Sequence, residues 1–369
     1  MNEINNLKTP TIIINEDRVR ANIAVMQQKT TSQGIRFRPH FKTHQSAAIG
    51  NWFREMGTRA ITVSSLKMAR YFSENGWTDI LIAFPVNVRD LDELAELSQK
   101  IHLGVLIDHL EVARNLFLEI DLHADVWIKI DTGMGRAGIH WENKSTLLAV
   151  ARNVLDCSHL NLRGLLTHAG QTYHADSAQA IRTLYSESTR RINDCRKFLE
   201  KEINKGLEVS VGDTPSCWLS EDLGAVDEVR PGNFIFFDAM MFQLGVCKAD
   251  EIALCVACPV VSKYEKRLEV LIHGGAVHLS KEIIENCSPI NYGFMVLTPE
   301  SDRWNIRETN YIRSQSQEHG IIKLDKETFG QISIGDMIYI IPVHSCLVVS
   351  ALAKYLTLGA RWIEAKISL

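Results

Sequence analysis

The sequence has no long hydrophobic run, no tract of one charge and no disulfide-type cysteine framework. A membrane span needs about 20 consecutive apolar residues; no stretch approaches that, so no membrane partner is expected. Met1 to Lys8 is polar and lacks the apolar core of a secretory signal, which gives a cytoplasmic location as the expectation. The formal net charge is only −4, with Lys and Arg scattered rather than striped. A nucleic-acid backbone would find no basic track, so nucleic acid is not an expected partner. The eight cysteines lie in mostly apolar surroundings, which suits reduced, buried thiols. Cys255 and Cys258 have redox or zinc spacing, but they sit in the strand-like run Ile252–Val261 with no second pair, and they read as structural. Internal repeats and low-complexity segments are also missing.

What is present suffices for a large core: 369 residues, 46% of them hydrophobic and 23% charged. A large domain with a smaller companion is expected at this length. After an isolated strand candidate, Thr11–Asn15, eight short apolar runs alternate with helical patterns. The runs are Ile35–Pro39, Ala60–Val63, Asp79–Ala83, His102–Ile107, Ala124–Ile130, Asn161–Leu166, Leu207–Val211 and Val226–Arg230. Between them, segments such as Asp17–Thr30, Asp108–Glu119 and Ala175–Glu202 place apolar residues three and four apart. Alternation of this kind predicts a parallel sheet with crossover helices, and the count fits an α/β (βα)8 barrel over residues 16–240. An open doubly wound sheet is the competing reading. Beyond it, Ile252–Val261, Leu268–His273, Gly320–Leu324 and Met337–Pro342 read as strands with little helical pattern between them. Residues 241–369, together with residues 1–15, are therefore expected to form a β-rich domain.

In a βα barrel the reactive groups follow the C-terminal ends of the strands. The first run is followed by Arg38-Pro39-His40-Phe41-Lys42-Thr43-His44, where one lysine stands among two imidazoles and an arginine. Partial desolvation and nearby cations disfavour its ammonium form, and a neutral amine is what a Schiff-base nucleophile needs. A solvated surface lysine is the alternative. The fifth run leads into Asp131-Thr132-Gly133-Met134-Gly135-Arg136-Ala137-Gly138, whose glycines admit a ligand close to the backbone and whose Arg136 offers a fixed cation. The sixth leads into His168-Ala169-Gly170-Gln171-Thr172-Tyr173-His174, a cluster of donors that includes His168, Gln171 and Tyr173. The seventh and eighth end in Gly212-Asp213-Thr214-Pro215-Ser216 and Arg230-Pro231-Gly232-Asn233, the corner where many barrels hold phosphate. Hydroxyls and free N–H groups there suit a phosphate dianion, although the same residues also make ordinary turns. Jointly the five loops point to a phosphorylated cofactor.

His344 and Cys346 form a separate candidate in the C-terminal region. In an extended strand alternate side chains share a face, so the two are expected to point at one metal ion. Imidazole plus thiolate suits zinc, with the remaining ligands supplied by water, substrate or a distant side chain. A buried His and Cys without metal is the alternative.

This set of motifs resembles the D-serine dehydratase and D-threonine aldolase family, pyridoxal-phosphate enzymes of the alanine racemase fold. The resemblance runs through nearly the whole chain in the family's order. It implies that Lys42 carries pyridoxal 5'-phosphate covalently, that Arg136 approaches the cofactor's phenolic oxygen, and that Tyr173, Thr214, Gly232 and Asn233 hold its phosphate. His168 and Gln171 are further cofactor-binding candidates. It also implies that His344 and Cys346 bind a divalent metal, zinc above others, and that the enzyme is a head-to-tail homodimer. Aldolases of the family typically carry aspartate where Cys346 stands, which favours dehydration of a D-3-hydroxy amino acid to a 2-oxo acid and ammonia. Retro-aldol cleavage, racemisation and a non-catalytic cofactor carrier are the rival readings; the carrier has no use for residues 241–369.

Overall fold

The computed structural model describes residues 2–116, 121–285, 287–298 and 304–365. The chain forms two compact units, one of Val25–Lys42 and Phe53–Gly232, the other of Met1–Ala24, Thr43–Trp52 and Asn233–Leu369.

The Val25–Gly232 unit is built on eight parallel strands. Their order is Arg36–Phe37, Glu228–Val229, Glu208–Val211, Leu160–Leu166, Ala124–Asp131, His102–Ile107, Asp79–Pro85 and Ile61–Val63. An isolated parallel bridge between His40 and Thr62 joins the last strand back to the first, so the sheet is a closed barrel and not an open doubly wound one. The strands read as unbroken apolar runs because both faces of each are covered; Leu103, Val105, Leu106 and Ile107 are all buried. Gly164 has no side chain because a Cβ there would strike the backbone of Glu208 on the next strand. At the N-terminal ends of the strands the fully buried Glu228 accepts from Arg38 at 2.7 Å and Arg36 at 2.6 Å, and Arg38 also pairs with Asp79 at 2.6 Å. Burial alone would raise the Glu228 carboxyl, yet Arg38 and Arg36 hold it down to about 2. Side-chain oxygens start the covering helices: Ser65 caps Leu66–Glu74, Asn143 caps Lys144–Leu155 and Ser177 caps Ala178–Ile203. The expected helix over Asp108–Glu119 appears as Leu110–Leu116, and residues 117–119 lie outside the described residues.

The other unit holds a nine-stranded sheet, in the order Glu269–His273, His319–Lys323, Tyr311–Gln315, Gly293–Val296, Met337–Pro342, Leu254–Tyr264, Thr11–Ile14, Lys354–Thr357 and Trp362–Glu364. Leu254–Tyr264 also pairs with Glu269–His273, which closes six antiparallel strands into a small barrel. Thr11–Ile14 lies between Leu254–Tyr264, antiparallel, and Lys354–Thr357, parallel, with Ile12, Ile13 and Ile14 fully buried. Four of these strands, Gly293–Val296, Tyr311–Gln315, Lys354–Thr357 and Trp362–Glu364, have no counterpart among the predicted runs, and the helix Ser345–Leu352 runs against the expected scarcity of helix. Cys255 and Cys258 are buried in Leu254–Tyr264, and burial pushes both thiols up, away from the thiolate that metal or redox chemistry needs. Among the described residues no helix is long and apolar enough to cross a membrane.

Candidate functional site

The first strand of the parallel barrel continues into His40, whose N–H bonds to the Pro231 carbonyl at 2.9 Å. Phe41 then turns away into a fully buried aromatic nest, with Phe53 at 5.0 Å, Phe72 at 5.0 Å and Trp77 at 5.1 Å between ring centroids. That anchor fixes the position of the next residue, Lys42, whose N–H donates to His40 Nδ1 at 3.3 Å. Lys42 is exposed rather than partly desolvated as expected, because it sits in the turn beyond the strand. Its charge nevertheless acts on His40 and on His168.

Both imidazoles are held neutral. Burial, then Lys42, Arg230, His168 and Arg136, keep His40 well below the ordinary histidine value; burial and Lys129, Lys42, Arg136 and Arg230 do the same to His168. His168 Nδ1 donates to the Gly212 carbonyl in a short hydrogen bond, which leaves Nε2 as an acceptor. The Asp131 carboxylate folds the glycine loop onto itself by accepting the N–H groups of Gly133 at 2.9 Å, Met134 at 3.0 Å and Gly135 at 3.1 Å. Gly133 and Gly135 take positive φ in that turn, and Arg136 leaves it exposed.

Two buried basic groups stand in this cluster beside the candidate site residues. Arg230 is buried, donating to Ser210 Oγ at 2.7 Å and the Thr167 carbonyl at 2.6 Å, and burial lowers it to about 10. Lys129 is buried on the strand Ala124–Asp131; burial, Arg230 and Arg136 lower its amine to about 7. A single lysine inside the apolar run Ala124–Ile130 was the available signal.

The loops after the seventh and eighth strands gather buried polar groups. Asp213 caps the turn, accepting from Ser216 N–H at 2.7 Å and Thr172 Oγ1 at 3.1 Å, and burial pushes it up to about 6 against those bonds and Arg230. Thr214 and Ser216 are fully buried; the Ser216 hydroxyl faces the Asp213 carboxylate, and the Thr214 hydroxyl has no partner among the described residues. Buried hydroxyls without partners are costly unless a ligand satisfies them, and a phosphate oxygen does so. Tyr173 Oη accepts the Thr214 N–H at 3.3 Å and brings its hydroxyl to the same turn. Gly212 packs against Arg230 so closely that a Cβ would lie 3.0 Å from the Arg230 carbonyl oxygen. Gln171 donates to Ser188 Oγ at 3.0 Å and keeps a buried carbonyl oxygen, an acceptor that suits a donor on a ligand and not a phosphate. Gly232 ends this unit, and Asn233 belongs to the other one, where its amide donates to Asp238 at 2.6 Å and Ser345 Oγ at 3.2 Å.

In that second unit His344 and Cys346 do come together, by a different route from the one expected. The strand ends at Pro342, His344 is the extended residue before the helix, and Cys346 lies in the first turn of Ser345–Leu352. A helix start, not strand alternation, brings thiol and imidazole into contact. Burial would lower the His344 imidazole, but Cys346 and the buried Asp238 raise it well above the ordinary value. Asp238 Oδ2 is 3.6 Å from His344 Nδ1 and accepts the Ser345 N–H at 3.0 Å. Cys346 Sγ is 3.3 Å from Thr43 Oγ1. An imidazole, a thiol and a carboxylate behind the imidazole are a donor set that fits zinc.

A closed parallel barrel with a lysine after its first strand, and a second unit that contains a small antiparallel barrel, make up the alanine racemase fold of pyridoxal-phosphate enzymes. The profile of the alanine racemase N-terminal domain matches residues 14–240, and that of a serine dehydratase domain matches residues 253–358. The chain belongs to the alanine racemase-fold family that includes the D-serine and D-threo-3-hydroxyaspartate dehydratases. It is 31% identical to D-threo-3-hydroxyaspartate dehydratase of Delftia sp. strain HT23, over 96% of this chain and 95% of that one. It is 30% identical to D-serine dehydratase of Dictyostelium discoideum, over 96% and 94%. The solved Delftia enzyme superposes with a TM-score of 0.90 at 29% identity, covering 98% of each chain. A solved D-threonine aldolase from Filomicrobium marinum, 20% identical with a TM-score of 0.85 over 99% and 96% of the chains, shares the fold.

Proposed function

We propose that the protein dehydrates a D-3-hydroxy amino acid, D-serine or D-threo-3-hydroxyaspartate in class, to a 2-oxo acid and ammonia, using pyridoxal phosphate and a divalent metal, zinc. The observation that carries dehydration is the contact of the His344 imidazole with the Cys346 thiol. A cysteine-to-alanine variant of a D-threo-3-hydroxyaspartate dehydratase has been solved in a metal-free form, and a histidine-to-alanine variant of a D-threo-3-hydroxyaspartate dehydratase has been solved as well. That parallel supports His344 and Cys346 as metal ligands here.

When bound, pyridoxal phosphate supplies an electron sink for charge at the substrate Cα, and the metal supplies a Lewis acid for a hydroxide that leaves poorly. Lys42 would carry the cofactor and, once freed by substrate, take the Cα proton on Nζ. The neutral rings of His40 and His168 add no positive charge beside that amine. Tyr173, Thr214, Gly232 and Asn233 would hold the phosphate, as the resemblance implies, and the buried Ser216 would add its hydroxyl. Arg136, set by the Asp131-folded loop, would offer its guanidinium to the phenolic oxygen. His344 and Cys346 would hold the metal, with the buried Asp238 carboxylate lying 3.6 Å from His344 Nδ1.

The domain division expected from sequence, residues 16–240 against 1–15 with 241–369, the homodimer and the cytoplasmic location are part of the same proposal; mass measurement by light scattering tests the dimer. The products decide the chemistry. Purified protein with pyridoxal phosphate and zinc should release ammonia and a 2-oxo acid from D-serine or D-threo-3-hydroxyaspartate. Glycine and an aldehyde with no 2-oxo acid would make it an aldolase instead.

A further inference from the structure

The strand Glu269–His273 ends against the hairpin of Tyr311–Gln315 and His319–Lys323 in a corner too tight for side chains. A Cβ on Gly275 would lie 2.5 Å from the carbonyl oxygens of Ser316 and Gln317, and one on Gly320 would lie 2.5 Å from that of Gly274. Three backbone bonds stitch the corner: Gly274 N–H to the Glu318 carbonyl at 3.0 Å, Ala276 N–H to Ser316 at 2.8 Å and Val277 N–H to Gln317 at 3.1 Å. His273, His278 and Glu318 all project from it.

Their ligand atoms converge within 4.8 Å of one another. His273 Nε2 is 3.5 Å and His278 Nε2 3.6 Å from the same Glu318 Oε2, and the two rings stand edge to face with centroids 5.2 Å apart. Those separations are too long for good N–H···O hydrogen bonds. They match the edge of a tetrahedron with metal–ligand bonds of about 2.0–2.1 Å, which is about 3.3 Å. We propose that His273, His278 and Glu318 form a divalent-metal site of the zinc class, separate from His344 and Cys346, with water completing the coordination.

Two imidazoles and a carboxylate select a borderline transition ion over magnesium or calcium, which take oxygen ligands. Binding has an identifiable cost. The Gly275 N–H donates to His278 Nδ1 at 3.3 Å, whereas a neutral imidazole that binds metal through Nε2 carries its proton on Nδ1. Loading moves that proton and gives up this long bond, so the site is weaker than a closed four-ligand zinc centre.

The test is zinc stoichiometry on the chelator-stripped, cofactor-loaded full chain, read by competition with a chromogenic chelator, with circular dichroism to check folding. Wild type is compared with His273→Gln/His278→Gln and with His344→Gln/Cys346→Ser. The first double variant should bind one zinc fewer per chain than wild type and keep its lyase activity. Glu318→Gln should weaken the same site by about tenfold or more. If the folded His273→Gln/His278→Gln protein binds as many zinc ions as wild type, the proposal is overturned. The catalytic metal is scored separately: a His344→Gln/Cys346→Ser protein that keeps the wild-type count sinks that reading and leaves this one standing.

Discussion

Cys346 Sγ lies 3.3 Å from Thr43 Oγ1, both buried, and Thr43 is the residue that follows Lys42 in the chain. The amine-bearing residue and the hydroxyl that touches the thiol are therefore one peptide apart. Thr43→Val, which removes the hydroxyl and keeps the shape, should weaken zinc binding by about 10- to 100-fold, as loss of a partner to a metal ligand does. The visible absorption of the bound cofactor should stay unchanged. Zinc affinity and the absorption spectrum, measured on one preparation, check both halves.

Lys42→Ala should lose the visible band of the covalently held cofactor together with about 10³-fold or more of the activity. His344→Ala should keep the band and lose ammonia release. Spectra and product assays on the two variants separate cofactor attachment from departure of the hydroxyl.

The hydroxyl of Thr214 makes no bond among the described residues. Removing a buried hydroxyl that nothing satisfies costs the fold little, whereas removing a hydrogen bond to a charged oxygen costs about 1.5–3 kcal/mol. Thr214→Val is expected to leave the melting temperature of the cofactor-free protein level or raised. The same change should weaken pyridoxal phosphate binding by roughly 10- to 100-fold. A melting curve without cofactor and a cofactor titration give the two numbers.

Glu228 contributes to stability with a definite pH window. Its folded pKa, about 2, lies below the 4.5 of the free side chain, so the unfolded chain binds the proton more readily. The contribution is complete above pH 4.5 and is lost as pH falls toward 2, at most about 3 kcal/mol. Glu228→Gln should be destabilised at neutral pH, because Arg38 keeps its burial and loses a partner. Its stability should also fall less steeply than wild type below pH 4.5. Urea unfolding at pH 7 and pH 4 measures both effects.

The parallel barrel was legible because strands such as His102–Ile107 are buried on both faces and interrupt the helical periodicity cleanly. The candidate loops were legible for the same reason, since each begins where such a run stops. Tyr311–Gln315 and Lys354–Thr357 left a weaker mark: each is short, and the first carries Arg313 to pair with Glu269 at 2.7 Å, a bond made across the sheet that local pattern does not encode. Lys129 was passed over because one lysine leaves the pattern of an apolar strand intact, although burial lowers its amine to about 7. The His344–Cys346 contact was expected from strand alternation, but the strand ends at Pro342, His344 alone is extended beyond it, and nothing in the sequence marks the helix that starts at Ser345.

The strand Thr11–Ile14 is hydrogen-bonded on one side to Leu254–Tyr264 and on the other to Lys354–Thr357. A ribosome makes Ile12, Ile13 and Ile14 long before either partner exists. During synthesis these three isoleucines have no native neighbour to cover them, and they must be kept from sticking elsewhere until nearly the whole polypeptide has been released. A stop codon just before Lys354 would spare every barrel loop described above and still leave one edge of this early segment bare, which makes such truncations prone to precipitate rather than merely to lose activity.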